Sequence, residues 1–272
     1  VALQFNTIGQ RNSAFGNYAL NANTTGSDNT AVGYQSLYLN TIGQRNSAFG
    51  AYSLRANTTG NYNSAFGFHA LRYNTTGISN SAFGYMSLRF NTTGVNNVSV
   101  GLQALYVNTG GYNNVAIGNA ALAANTIGIN NVAVGHNSLV TNVVGYANTA
   151  VGFYALFNNT IGYANAALGV DALKANTTGI TNSAFGSKSL IANTTGSNNS
   201  AFGYNAGSDI TTATANTAIG YNTGRGITTG NYNTILGANV TGLSATIANN
   251  IIISDGQGNR RINIDSSGNV GI

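Results

Sequence analysis

The sequence predicts an all-β chain folded as a parallel β-solenoid, or β-roll, of about 14 coils with a 17-residue period. Three observations carry that expectation. The pentapeptide Asn12-Ser13-Ala14-Phe15-Gly16 returns every 17 residues, as Asn29 to Gly33, Asn46 to Gly50 and onward to Asn233 to Gly237, and a fixed short period marks an array of one structural unit. A second motif, Asn-Thr-(Thr or Ile)-Gly, follows in most units, as at Asn23 to Gly26 and Asn125 to Gly128. Glycine and asparagine thus punctuate each unit twice, leaving stretches too short for a stable helix and long enough for a short strand.

Taken in order, Val1, Ala2 and Leu3 are in register with Tyr18, Ala19 and Leu20, so the first residues are expected to lie within a coil, with further repeats before them. Equivalent residues of successive coils should stack about 4.8 Å apart. The position of Phe15 is always bulky and apolar and is expected to point inward, so that Phe15, Phe49, Phe66, Phe83 and Phe185 form one core column. On that reading Phe83→Asp disrupts its neighbouring coils. Leu20, Leu54, Leu71, Leu88 and Leu190 form a second core column, and the Asn12 position forms an amide ladder along the axis. Alanine at the Ala14 position is expected to lie against another surface, since an exposed position would tolerate larger side chains.

The pattern then changes. Gly207 and Gly224 replace leucine, and Ile210 and Ile227 replace the second asparagine. The solenoid is assigned to residues 1–249, and residues 250–272 to a C-terminal segment. There Ile251 to Ile253 and Arg260 to Asp265, joined by a glycine-rich turn, read as a short β-hairpin.

Composition narrows the chemistry. Charged residues are 6% of the chain, with no Glu, Cys, Pro or Trp and a net charge of +5, so there are no disulfide staples or thiolate metal sites. No dense basic block suits nucleic acid, and no apolar run approaches the roughly 18 residues that span a bilayer. The five aspartates, Asp28, Asp171, Asp209, Asp255 and Asp265, are scattered, and His69 and His136 are isolated at variable positions, where they read as surface substitutions. No catalytic residue, cofactor or metal is therefore expected, and the chain reads as a non-enzyme.

Binding would fall to the variable positions. Tyr34, Phe68 and Tyr85 each follow a first glycine, and Arg55, Arg72 and Arg89 occupy one position in three successive coils. Rings of this kind stack on sugar faces, and a row of like charges must be splayed into solvent or compensated by an anion, which makes an anionic surface glycan one candidate partner. The plainer reading is that the rings pack along coil corners or between protomers and that the arginines are solvated. Threonine pairs such as Thr24-Thr25 resemble the arrays of ice-binding solenoids, but adjacent strand residues face opposite ways and do not make a flat lattice.

Units such as Asn148 to Gly152 followed by Phe153 to Gly162 resemble the repeats of phage tail-fibre and phage-like surface-fibre proteins. The pentapeptide is also similar to the head repeat of trimeric autotransporter adhesins, a left-handed parallel β-roll packed as a trimer. The closing Arg261 to Ile272 resembles the lead-in to the self-cleaving C-terminal chaperone domain of many tail fibres. These resemblances imply a homotrimer, an extracellular location on a virion or cell surface, and a structural and adhesive fibre segment. The alternative is a carbohydrate-binding module that uses the aromatic rows and the basic stripe.

Overall fold

A computed structural model describes residues 1–272. It contains no helix. The chain divides into two compact units, residues 1–136 and 137–272, and in each the 17-residue coils form a parallel β-solenoid with one three-residue strand per coil. The first unit contains β1 (Ser13–Phe15), β2 (Thr30–Val32), β3 (Ser47–Phe49), β4 (Ser64–Phe66), β5 (Ser81–Phe83), β6 (Val98–Val100), β7 (Val115–Ile117) and β8 (Val132–Val134). The second contains β9 (Thr149–Val151), β10 (Ala166–Leu168), β11 (Ser183–Phe185), β12 (Ser200–Phe202), β13 (Thr217–Ile219), β14 (Thr234–Leu236), β15 (Ile251–Ser254), β16 (Arg260–Ile264) and β17 (Val270–Gly271). Successive coils pair in register, as where Ser64, Ala65 and Phe66 face Ser81, Ala82 and Phe83.

The strands face the other way from the sequence expectation. Ala31, Ala48, Ala65, Ala82 and Ala184 are fully buried, whereas Phe15 is 78% and Phe83 40% exposed, and Phe49, Phe66 and Phe185 are only half-buried. Phe15, Phe49, Phe66, Phe83 and Phe185 are therefore not a core column. Strand alternation requires one column inside and its neighbours outside; the room available decides which. Leu20, Leu54, Leu71, Leu88 and Leu190 are fully buried as expected, and together with buried asparagine amides they leave space for a methyl group only. Outside, the rings stack on one another, Phe49 on Phe66 at 4.7 Å and Phe66 on Phe83 at 4.9 Å between centroids.

The leucine column lies in turns, not strands. Its residues adopt left-handed backbone, with φ of 47° at Leu54 and 53° at Leu122. Two further positions per coil do the same, exemplified by Gln35 at 52° and Arg45 at 55°. Each such L-residue costs about 1–2 kcal/mol, and each is held by a bond to a neighbouring coil. The N–H of Gln35 donates to Asn17 O, that of Leu37 to Ser53 O, and that of Arg45 to Ser27 O, all at 3.0 Å.

Two buried asparagines per coil form two ladders. Asn80 Nδ2 donates to Asn63 Oδ1 at 3.2 Å and to Gly94 O at 2.8 Å, while its own Oδ1 accepts from Asn97 N and Nδ2, both at 3.1 Å. Asn91 Nδ2 donates to Asn74 Oδ1 at 2.7 Å and to the same Gly94 O at 3.0 Å. All four amide sites of Asn80 are thus used, as a buried side chain requires. The ladders also explain the second glycine of the repeat. A Cβ on Gly77 would sit 2.2 Å from Asn74 Oδ1 and 2.5 Å from Gly94 O.

Where the repeat changes, the substitutions compensate. A Cβ on Gly207 would meet both Ile210 Cδ1 and Leu190 Cδ2 at 3.1 Å, so the buried Ile210 occupies the space that leucine fills in earlier coils. The second ladder stops with this exchange, and Asn193 Oδ1 is left buried without a hydrogen-bond partner. Gly224 and Ile227 repeat the swap, and the alanine column widens to Ile235 and Ile252, both buried. β15 pairs parallel with β14 on one edge and antiparallel with β16 on the other, and β16 pairs antiparallel with β17. The turns after β15 and β16 are alike. Asp255 Oδ1 accepts from Gln257 N and Asn259 N, and Asp265 Oδ1 accepts from Ser267 N and Asn269 N.

Two measurements check this packing. In urea unfolding, Ala82→Asp should abolish the cooperative transition because it buries a charge, whereas Phe83→Asp should cost only about 1–2 kcal/mol of ring contact; equal losses would restore an inward Phe83. Gly207→Leu should destabilise by clashing with Ile210, and Gly207→Leu combined with Ile210→Asn should recover stability with a coupling of about 0.5–3 kcal/mol.

Candidate binding surface

The turn after each strand and the leucine turn that follows bring three variable positions together. Tyr34, Phe68 and Tyr85 come from the position after the first glycine, Gln35, Tyr52, His69 and Met86 from the next, and Arg55, Arg72 and Arg89 from three residues further on. All lie in the first unit. The structure joins the six residues singled out from sequence. Arg55 Nε donates to Gln35 Oε1 at 2.7 Å, and Gln35 Nε2 donates to Tyr34 OH at 3.2 Å. Phe68 stacks on Tyr85 at 5.5 Å and on His69 at 3.9 Å, and Arg72 Nη1 lies 3.2 Å from His69 Nδ1 and 3.3 Å from its Nε2. Arg89 Nη1 donates to Tyr106 OH at 3.1 Å and approaches Met86 Sδ at 3.5 Å.

The arginines are neither splayed into solvent nor ion-paired. Arg55 lies over Tyr38 at 5.3 Å, Arg72 over Tyr52 at 5.1 Å and Tyr73 at 5.0 Å, and Arg89 over Phe90 at 5.0 Å. Each such contact contributes about 0.5–2 kcal/mol. Like charges about 5 Å apart repel by about 1–3 kcal/mol at effective dielectrics between surface protein and water, so the rings offset much of the strain of the row. Tyr34, Phe68 and Tyr85 remain 42%, 41% and 47% exposed.

His69 is not a surface substitution. It is 8% exposed, and burial together with the charges of Arg72 and Arg89 pushes its pKa down to about 4. The sequence places Tyr52 among the rings near the first glycine, but the sequence reading missed His69, Tyr38, Tyr73, Phe90 and Tyr106 as parts of this surface. Their signal was present in the 17-residue alignment, where ring-bearing positions recur beside the arginine position.

Elsewhere all five aspartates are engaged structurally. Arg11 and Arg45 both pair with Asp28, Lys174 with Asp171 at 2.9 Å, Arg225 with Asp209 at 2.9 Å, and Arg261 with Asp255 at 2.6 Å. The carboxyl of Asp28 is held below its usual range by the hydrogen bond from Arg11, and that of Asp265 by the hydrogen bond from Asn269. The hydroxyls of Thr24, Thr41 and Thr58 donate to carbonyls of the next coil, so they are not free to order water. An open groove lined by Thr25, Ile42, Gln44, Thr59, Asn61 and Tyr62 holds no carboxylate or imidazole. Comparison with protein-family models, curated proteins and solved structures returns no significant match.

The buried His69 makes stability depend on pH. Its folded pKa lies below the ordinary value of about 6.5, so the unfolded chain takes up its proton first on acidification. Stability should therefore fall between pH 6.5 and about 4, by up to about 3 kcal/mol. His69→Asn, which suits the left-handed backbone at φ 61°, should flatten that slope in urea titrations; an unchanged slope would place the proton elsewhere.

Proposed function

We propose that the chain is a structural and adhesive fibre segment of a virion or cell surface, assembled from copies of itself, with a homotrimer as the expected state. The supporting observation is the outward face of the strands. On either side of the central residue of β1 to β14, an alanine in all but β6 and β14, the outward side chains are serine, threonine, alanine or bulky apolar groups, and none is charged. The apolar row runs through each unit and includes Phe83, Val100, Ile117, Val151, Leu168, Phe202 and Ile219, all exposed. With roughly a third to two-fifths of each such side chain open, taking ~150–250 Å² for an aromatic, each aromatic coil offers on the order of 70 Å² toward the roughly 800 Å² per partner that a stable interface buries. A second copy has the same rise per coil and can follow the row in step, whereas a partner of another period meets only a few coils. The repeats' resemblance to fibre and adhesin repeats agrees with this use.

A second reading, carbohydrate binding, is favoured by the exposed rings of Tyr34, Phe68 and Tyr85 beside the arginine row. The two readings are compatible, since the strand face and the turn face use different positions of the coil.

Sedimentation should give the mass of three chains. Phe66→Asp with Phe83→Asp should shift it toward one chain while the circular dichroism spectrum is retained. A single-chain mass for the unaltered protein would remove the self-associating fibre.

A further inference from the structure

Cations in the solenoid are not distributed evenly with respect to acids. Lys174 and Arg225 occupy the same position of the coil as Arg55, Arg72 and Arg89, and each of those two has its own carboxylate, Asp171 or Asp209. Where a cation stands alone at this position, the chain matches it; where three stand in succession, it supplies only rings, an amide, an imidazole, a thioether and a phenol. The Nε atoms of Arg72 and Arg89 are buried and make no hydrogen bond. Stacking uses the faces of the guanidinium groups, and with Nε bonded or buried and Nη1 of Arg72 and Arg89 engaged, the unbonded Nη2 atoms are left for an oxyanion. The rings also hold the three side chains in place, which lowers the entropy lost on binding.

We propose that Arg55, Arg72 and Arg89 form a binding ladder for an acidic polysaccharide lying along the coil axis. Its carboxylates or sulfates accept from the guanidinium Nη2 atoms, and its sugars lie against the exposed parts of the Phe68 and Tyr85 rings. The inference rests on the carbohydrate-binding reading and adds the charge of the ligand and its direction. Arg55 and Arg89 are two coils apart, about 10 Å by strand spacing, on the order of a disaccharide repeat, so charges on alternate sugars meet the outer arginines. A sugar polymer fits better than a nucleic acid because the stripe holds only three cations in a chain of net charge +5, without the dense basic block that a phosphate backbone needs.

The test is calorimetric titration of the full chain with hyaluronate, dextran sulfate, neutral dextran and inorganic polyphosphate. Hyaluronate or dextran sulfate should bind at least tenfold tighter than dextran, and the stronger of the two tells carboxylate from sulfate. That binding should weaken with salt and fall at least tenfold in the combined Arg55→Gln, Arg72→Gln and Arg89→Gln variant, but not in Lys188→Gln. The triple variant removes like-charge repulsion, and its melting curve verifies the fold; should it fail to fold, Arg89→Lys, which keeps the charge and loses the fork, should still bind more weakly than the parent. Equal binding of dextran that is insensitive to the arginines would overturn the acidic ligand and leave carbohydrate binding standing. Absence of binding to every sugar would overturn both. Polyphosphate bound as tightly as hyaluronate, through the same arginines, would overturn the sugar and leave a general polyanion site.

Discussion

The interaction on which the rest of the fold depends is the pair of buried asparagine ladders. An amide buried without partners costs about 1–3 kcal/mol or more, and here each one is satisfied by its own image one coil away and by a glycine carbonyl. This arrangement tolerates no change in period. One residue inserted into a coil would move its asparagines out of reach of both neighbours and leave several polar groups unpaired at once. The constancy of the 17-residue return follows from that penalty. So does glycine next to the second ladder, where any side chain would meet an amide oxygen. The exception obeys the same logic, because once Ile210 replaces an asparagine, Gly207 replaces the leucine whose space it takes and the ladder ends at Asn193.

Filling the interior with leucine and amides has an outward consequence. Only a methyl group remains to be accommodated from the strand, so the bulky residue that alternates with alanine is turned toward solvent along the length of each unit. A core built partly of polar groups gives less hydrophobic stabilisation per coil than one of packed rings, while the three left-handed residues of each coil add strain. The backbone bonds between coils and the stacking of identical side chains offset that strain, and an apolar row left outside offers further burial on association.

The low charge of the chain sharpens the meaning of the few charges it has. Four of the eight cations in residues 1–249 are matched by an aspartate, and of the other four Arg55, Arg72 and Arg89 stand in one column of successive coils. Their placement on aromatic faces leaves the Nη2 atoms unbonded, and His69, with its pKa pushed down to about 4, lies against Arg72 without adding positive charge at neutral pH.

By itself the sequence determined the solenoid, its period, the leucine column and the Asn12-type ladder, because stacking at a fixed interval turns each of these into a repeated letter; of the candidate surface it showed the arginine row and some of the rings but not the residues that hold them. It did not determine which side of the strand faces inward. Ala82 and Phe83 are equally periodic, and the usual preference for burying the larger side chain favours Phe83. Only the tertiary structure decided the matter, since the volume left beside Leu88 and the two asparagine amides is set by how the turns close. The sequence also left Arg72 without a neighbour. The left-handed turn at Leu71 brings its guanidinium over Tyr52 and Tyr73 and against His69, and the conformation of that turn is imposed by the coils above and below it.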